Sequence, residues 1–337
     1  MAGASPTSLA AAVADAGGLG ACGAVLMAPE AIRAWAAEVR GRTNGPFQIN
    51  LWIPDPPPKR DTAHEARVRE FLGGWGPAVP PEAANTPLPD FEDQCEAVLA
   101  TGPAVVSSIM GVYPPAFVQR MKQREARWFA HVTTVTEARV AVAAGADVIV
   151  AQGMEAGGHR GSFDADRPDL AQIGLFALLP AVVDAVGDQV PVVATGGVAD
   201  ARGIVAALIL GASAVQIGTG LLRCPEADIA PAWADALGEA QPEDTTVTRA
   251  FSGRLGRSLA TAYVKAAAGP EAPKPAPYPV QRALTRPMRD AAMVAGDIDR
   301  MQAWAGQAAR LATTEPAADL VRRLWAEAQV FLAPVSE

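Results

Sequence analysis

Cysteine is scarce: three residues in 337, Cys22, Cys95 and Cys224, odd in number and far apart. They make neither a disulfide framework nor a CxxC metal site, and a reduced, cytoplasmic protein is the expectation. Histidine is equally rare. His64, His131 and His159 stand apart from one another and from any spaced carboxylate set, so metal ligation is not expected. Charge is sparse at 19% and tilts acidic, with 28 Lys and Arg against 36 Asp and Glu, a net charge of −8. Phosphate backbones demand a clustered excess of cations, which excludes nucleic acid as a partner. No apolar run reaches the ~18 residues that a membrane span needs. The first residues carry no basic segment leading into an apolar core, so no secretory signal is read there. Three motifs are also missing: GxGxxG after the first strand, GxxxxGKS/T and GxSxG. A dinucleotide fingerprint, a P-loop and a hydrolase nucleophile elbow fall away with them.

What is abundant is apolar. Hydrophobic residues make up 50% of the chain, enough for a large core and too much for long disorder. Short, nearly continuous apolar runs alternate with Ala-rich helical patterns. Strands are expected at Leu19–Leu26, Phe47–Ile53, Ala104–Met110, Ala126–Thr133, Asp147–Gln152, Val190–Thr195 and Ala214–Gly218. Between them the 3.6-residue pattern predicts helices at Thr7–Ala16, Pro29–Arg40, Pro115–Gln123, Val135–Ala144, Leu175–Val186 and Asp200–Leu210. Thr136-Glu137 and Asp200 read as helix openings, Gly145 and Gly211 as closings. Runs such as Val148-Ile149-Val150 suit strands buried on both faces of a parallel sheet, hence an α/β fold. Seven strands are one short of a (β/α)8 barrel, and the chain opens directly on a helix; an open doubly wound sheet, or a barrel whose first strand lies upstream of Met1, would each explain this.

Two stretches break the rhythm. Pro54–Pro89 is proline-rich, with one helix expected at His64–Leu72. After Cys224 the reading is helical at Pro231–Glu239, Gly256–Ala268, Arg286–Ala295 and Met301–Ala309, with a stiff five-proline connector at Pro270–Pro279. The expected organisation is a barrel over 1–225, joined through the 54–90 insertion to a helical cap over 226–311. An amphipathic C-terminal helix within 312–337 would pack back on the barrel.

Chemistry gathers at strand ends, where ligands bind in barrels and open α/β sheets. Ala151 to Gly161 reads AQGMEAGGHRG, four glycines within nine residues directly after a strand. Glycines there let a ligand approach the main chain, and Gln152 can both donate to and accept from a heteroaromatic edge. His159 ends this loop, where an imidazole can serve as base, acid or anion-binding donor. His131, inside a strand, reads as a buried core imidazole and His64 as a solvated helix residue. The next two strand ends carry Thr195-Gly196-Gly197 and Gln216-Ile217-Gly218-Thr219. In barrels the turns after strands seven and eight often cradle a phosphate with backbone N–H groups, although ordinary βα turns look much the same. Asn50 would meet either a cofactor or the next strand. Phe251-Ser252-Gly253-Arg254 and Trp304-Ala305-Gly306-Gln307 would form either a cap–barrel joint or a substrate pocket.

Along nearly its whole length the chain resembles the nitronate monooxygenase family, formerly 2-nitropropane dioxygenases. The resemblance rests on Met1-Ala2-Gly3 (the family's Pro-Met-Ala-Gly turn after its first strand), AGGLG at 16–20, FQINL at 47–51, the Ala151–Gly161 signature, the turns at Ala194–Val198 and Gln216–Thr219, TRAFSGR at 248–254 and WAGQ at 304–307. It implies a (β/α)8 TIM barrel with a helical cap, here without its first strand. It also implies FMN held by Asn50, Gln152, Gly157, Gly158, Gly196, Gly197, Gln216, Ile217, Gly218 and Thr219, with His159 as the catalytic residue. The implied reaction is oxidation of an alkyl nitronate or nitroalkane, for example propionate 3-nitronate, by dioxygen to a carbonyl compound and nitrite through a flavin semiquinone. The wider family leaves open an FMN-dependent NAD(P)H:quinone or enoyl-thioester reductase, and the short strand count a flavin-free barrel acting as a binding protein.

Overall fold

The computed structural model describes residues 3–167 and 172–333; Met1 and Ala2 of the expected first turn lie outside them. Seven parallel strands form one curled sheet in the order in which the chain makes them: β1 (Gly20–Gly23), β2 (Phe47–Trp52), β3 (Val105–Ile109), β4 (Arg127–Val132), β5 (Val148–Gln152), then β7 (Val192–Thr195) and β8 (Ala214–Gln216). All seven expected strands are present, each trimmed at its ends. Their side chains are buried on both faces, as the unbroken apolar runs require: Ile49, Leu51, Val106, Ile149 and Ala194 are sealed from solvent.

Helices α1 (Thr7–Asp15), α2 (Pro29–Arg42), α4 (Phe91–Thr101), α5 (Pro115–Gln123), α6 (Val135–Ala143), α7 (Leu175–Val186) and α8 (Ala201–Ile209) alternate with these strands, while α3 (Thr62–Gly73) lies in the insertion. Side-chain caps fix several of their starts. Asp61, Asp90 and Asp200 each accept from the backbone N–H three residues on, at 2.9 Å. Thr134 rather than Thr136 opens α6, accepting from Glu137 N at 3.1 Å. Helix α4 has no counterpart in the expected elements. The strands β1 and β8 form the two edges of the sheet, and α13 (Ala317–Leu332) lies against both α1 and α8.

The region after β8 holds α9 (Pro231–Glu239), α10 (Ala262–Ala267), α11 (Val280–Leu284) and α12 (Arg286–Ala295). Two readings there need correction. Gly256–Ala268 is not one helix: Gly256–Leu259 is a strand, β10, pairing antiparallel with β9 (Thr245–Thr248) and with the two-residue β6 (Gly158–His159). Met301–Ala309 is not one helix either: it passes β10 with a bridge from Trp304 to Ser258, and only Ala309 enters a short 3-10 turn, Ala309–Leu311. Both segments take their form from cross-chain pairing, which local periodicity does not report. A hydrophobic cluster joins the Pro-rich insertion to this region, with Val68 and Leu72 packed among Phe251, Tyr263, Leu284 and Met288. Each large side chain so buried contributes about 1.5–3 kcal/mol.

Candidate active site

The carboxyl ends of the strands open on a cavity of about 310 Å³. Asn50, Gln152, Gly157, Gly158, His159, Gly196, Gly197, Gln216, Gly218 and Thr219 all line it. Ile217 does not: its side chain packs into the barrel core. The glycine turns have the shape that close ligand approach requires. Gly196 and Gly197 adopt φ of +113° and +70°, left-handed conformations that favour glycine. The backbone N–H groups of Gly197, Gly218 and Thr219 donate to no protein acceptor among the described residues, and so are available to an anion.

Gln152 is committed to its own loop. Its Nε2 donates to His159 O at 3.1 Å and its Oε1 accepts from Gly161 N at 2.8 Å. Buried Arg160 ties the same loop down through the carbonyls of Gln152 and Gly153. Asn50 donates to Ser107 Oγ at 3.0 Å on the next strand, the local partner expected of it, and also lines the cavity. His131 is buried and satisfied as expected, but it too reaches the cavity. Its Nδ1 donates to Ser108 O at 3.0 Å and its Nε2 accepts from the Gln216 amide at 3.1 Å. Burial pushes this imidazole down to about 4, so it is a neutral clamp on Gln216.

His159 lies between two indoles, with ring centroids 4.8 Å from Trp52 and 4.9 Å from Trp304. Its Nε2 is 2.7 Å from Ser252 Oγ. Burial first, then the cations of Arg254 and Arg282, push it down to about 3, so the ring is neutral at physiological pH. Ser252 belongs to the segment that closes over the barrel. Its neighbour Arg254 forms a buried, two-pronged ion pair with Asp55 of the Pro-rich insertion and donates to Ser162 O at 2.8 Å. The 304–307 segment docks on the glycine loop: Gly306 N donates to Thr219 Oγ1 at 2.9 Å and Gln307 N to Glu155 O at 2.9 Å. Both motifs are therefore joints, and of the two only the second also lines the cavity, through Trp304 and Gly306.

The docking is close enough to test. A Cβ on Gly157 would stand 2.4 Å from Gly306 N and 2.7 Å from Ala305 C, both backbone atoms. Gly157→Ala should therefore destabilise the protein by about 1–3 kcal/mol or more and lower its flavin content. Melting temperature and visible flavin absorbance check this; unchanged values in both would remove the tight docking.

Several lining residues were invisible to sequence reasoning. Gln48 on β2 and Trp233 on α9 have buried polar atoms, Gln48 Oε1 and Trp233 Nε1, with no partner. Trp52 stacks on Tyr278 at 4.6 Å, and Trp52 Nε1 and Tyr278 Oη are likewise unpartnered. Arg282 lines the cavity, and its guanidinium makes no hydrogen bond or ion pair among the described residues. Cys22 is also in the wall, but burial pushes its thiol up to about 12, which rules it out as a nucleophile. Among the described residues no cluster could hold a metal ion and no helix is long and apolar enough to cross a membrane.

Known proteins are similar to this chain in sequence and fold. Residues 1–327 match the family model described as nitronate monooxygenase. A nitronate monooxygenase of Pseudomonas aeruginosa is 40% identical over 96% of this chain and 93% of its own length. One of Paraburkholderia phytofirmans is 38% identical over 96% and 89%. Among solved structures, nitroalkane oxidase from Streptomyces ansochromogenes superposes with a TM-score of 0.88 at 35% identity, covering 98% of this chain and 95% of that one. FabK from Thermotoga maritima follows with a TM-score of 0.76 at 28% identity, covering 98% and 91%. With a seven-stranded parallel sheet of TIM-barrel type and a family match over almost its entire length, this chain belongs to the nitronate monooxygenase family.

Proposed function

We propose that this protein is an FMN-dependent nitronate monooxygenase, converting an alkyl nitronate and dioxygen to a carbonyl compound and nitrite. One observation carries the reading: glycine turns with free N–H groups, a neutral imidazole and a partnerless guanidinium share a single cavity. Among the lining residues the one formal charge is Arg282. A small anion entering so apolar a site needs a compensating cation, and a nitronate is such an anion.

The wall also suits a flavin. Gln48 Oε1 and Trp233 Nε1 offer an acceptor and a donor that the protein leaves unused, as a heterocycle with both functions would require. Gly196, Gly197, Gly218 and Thr219 would hold the FMN phosphate, and Asn50, Gln152, Gly157, Gly158 and Gln216 its ring and ribityl chain. Ile217 would contribute through its main chain. Bound FMN supplies the electron-accepting and oxygen-reducing chemistry. Heat-released flavin should co-chromatograph with FMN; FAD instead would contradict this assignment.

The chain's own groups orient the substrate. When the Ser252 hydroxyl donates to Arg254 O, at 3.2 Å, its oxygen accepts a hydrogen bond from Nε2–H of His159, leaving Nδ1 of the neutral ring unprotonated. Trp52 and Trp304 fix the ring plane and exclude water. Arg282 would hold a carboxylate on the substrate, as in propionate 3-nitronate, through a two-pronged contact. Arg282→Ala should therefore raise KM for propionate 3-nitronate about tenfold to hundredfold and raise KM for ethyl nitronate, which has the nitronate charge but no carboxylate, by distinctly less. Equal effects on both substrates would remove the carboxylate contact.

A further inference from the structure

Beside the active-site cavity lies a second cleft, of about 610 Å³, and Leu26 and Arg282 line both. Its floor and flank come from three arginines in successive turns, Arg282, Arg286 and Arg289. They face one carboxylate, Asp290, which pairs with Arg286 at 3.3 Å. Arg289 has only neutral acceptors: Thr285 Oγ1 at 3.2 Å, Gln302 Oε1 at 2.9 Å and Arg282 O at 2.9 Å. Burial and the neighbouring guanidinium of Arg282 push it down to about 10. The cleft thus keeps an excess of partly buried positive charge that no protein group neutralises. Ala28 and Pro29, at the N-terminus of the fourteen-residue helix α2, also line it, adding the positive end of a helix dipole. A stiff apolar strap at Pro87-Leu88-Pro89 closes one side.

A single carboxylate would satisfy one guanidinium and leave the others uncompensated. A phosphate carries up to two charges and three acceptor oxygens, and planar guanidinium groups match it in two-pronged fashion. We propose that this cleft is a phosphate-binding subsite for a ligand whose phosphate ester or diphosphate lies among Arg282, Arg286 and Arg289, and whose remainder can extend past Arg282 into the active-site cavity. The subsite does not depend on the nitronate reading: Arg286 and Arg289 line this cleft and not the active-site cavity, and Arg282 is shared by the two.

The test uses the full-length, flavin-loaded protein and calorimetric titration at low ionic strength with three probes: inorganic pyrophosphate, NADP+ and coenzyme A. At least one should bind saturably with one site per chain. Arg286→Glu should weaken that binding at least tenfold and Arg286→Ala by less, with flavin content and ethyl nitronate turnover unchanged in both. Tighter binding of NADP+ or coenzyme A than of pyrophosphate would identify a dinucleotide or a phosphopantetheine carrier as the source of the phosphate. Pyrophosphate binding as tightly as either would point to a small phosphoanion. Absence of saturable binding by all three, or wild-type affinity in Arg286→Glu, would overturn the proposal.

Discussion

Replacing His159 by asparagine is expected to lower kcat/KM for nitroethane by about 10²–10⁴-fold, while flavin stays bound and ethyl nitronate, already deprotonated, loses far less. Asparagine sets a non-basic amide near the position of Nδ1, so the basic nitrogen goes, and its shorter side chain gives up the 2.7 Å contact of Nε2 with Ser252 Oγ. The wild type should itself favour the preformed nitronate, since an imidazole pushed down to about 3 is a weak base. The same depression sets the pH response. The folded imidazole is neutral above about 3, so no protonation step intervenes as pH falls through the ordinary histidine value near 6.5. Turnover of ethyl nitronate should stay level between pH 8 and about 5. Equal rates of wild type and variant on both substrates would refute the base, and an inflection near 6.5 would place the ring in water.

The second large effect is on stability. Arg254→Met should cost about 3–5 kcal/mol, because it leaves Asp55 facing the space of a lost partner in a largely buried pair. With its side chain 19% exposed, Asp55 keeps some access to water, which places the expectation at the lower end. The loss would release the Pro-rich insertion from the segment that carries Ser252 and would remove the contact to Ser162 O. Because the Arg254 cation helps depress His159, the variant should also show a raised imidazole pKa. Asp55→Asn combined with Arg254→Met should recover part of the stability. A double variant no more stable than the single would assign the effect to packing.

Much of this was legible in the sequence. Buried parallel strands leave unbroken apolar runs, so β1 to β5, β7 and β8 could be read with only their ends misplaced. Glycines required by close approach stand at strand ends in a fixed pattern, and Gly157, Gly196, Gly197 and Gly218 line one cavity accordingly. Helix α4 was hidden by Pro87 and Pro89, although its Asp90 cap was a usable signal. The strand Gly256–Leu259 exists only through its partners Thr245–Thr248 and His159. Ser252 meets His159 across 93 positions, and Arg282 reaches the cavity from α11. Contacts of that span carry no local periodicity, and Gln48 became visible only as a buried acceptor without a partner.

The most direct test of the central claim is oxygen uptake with propionate 3-nitronate, measured together with nitrite release, with and without NADPH. The account predicts rapid uptake, nitrite formed in step with nitronate consumed, and no requirement for NADPH. Oxygen consumption that depends on NADPH and yields no nitrite would contradict it.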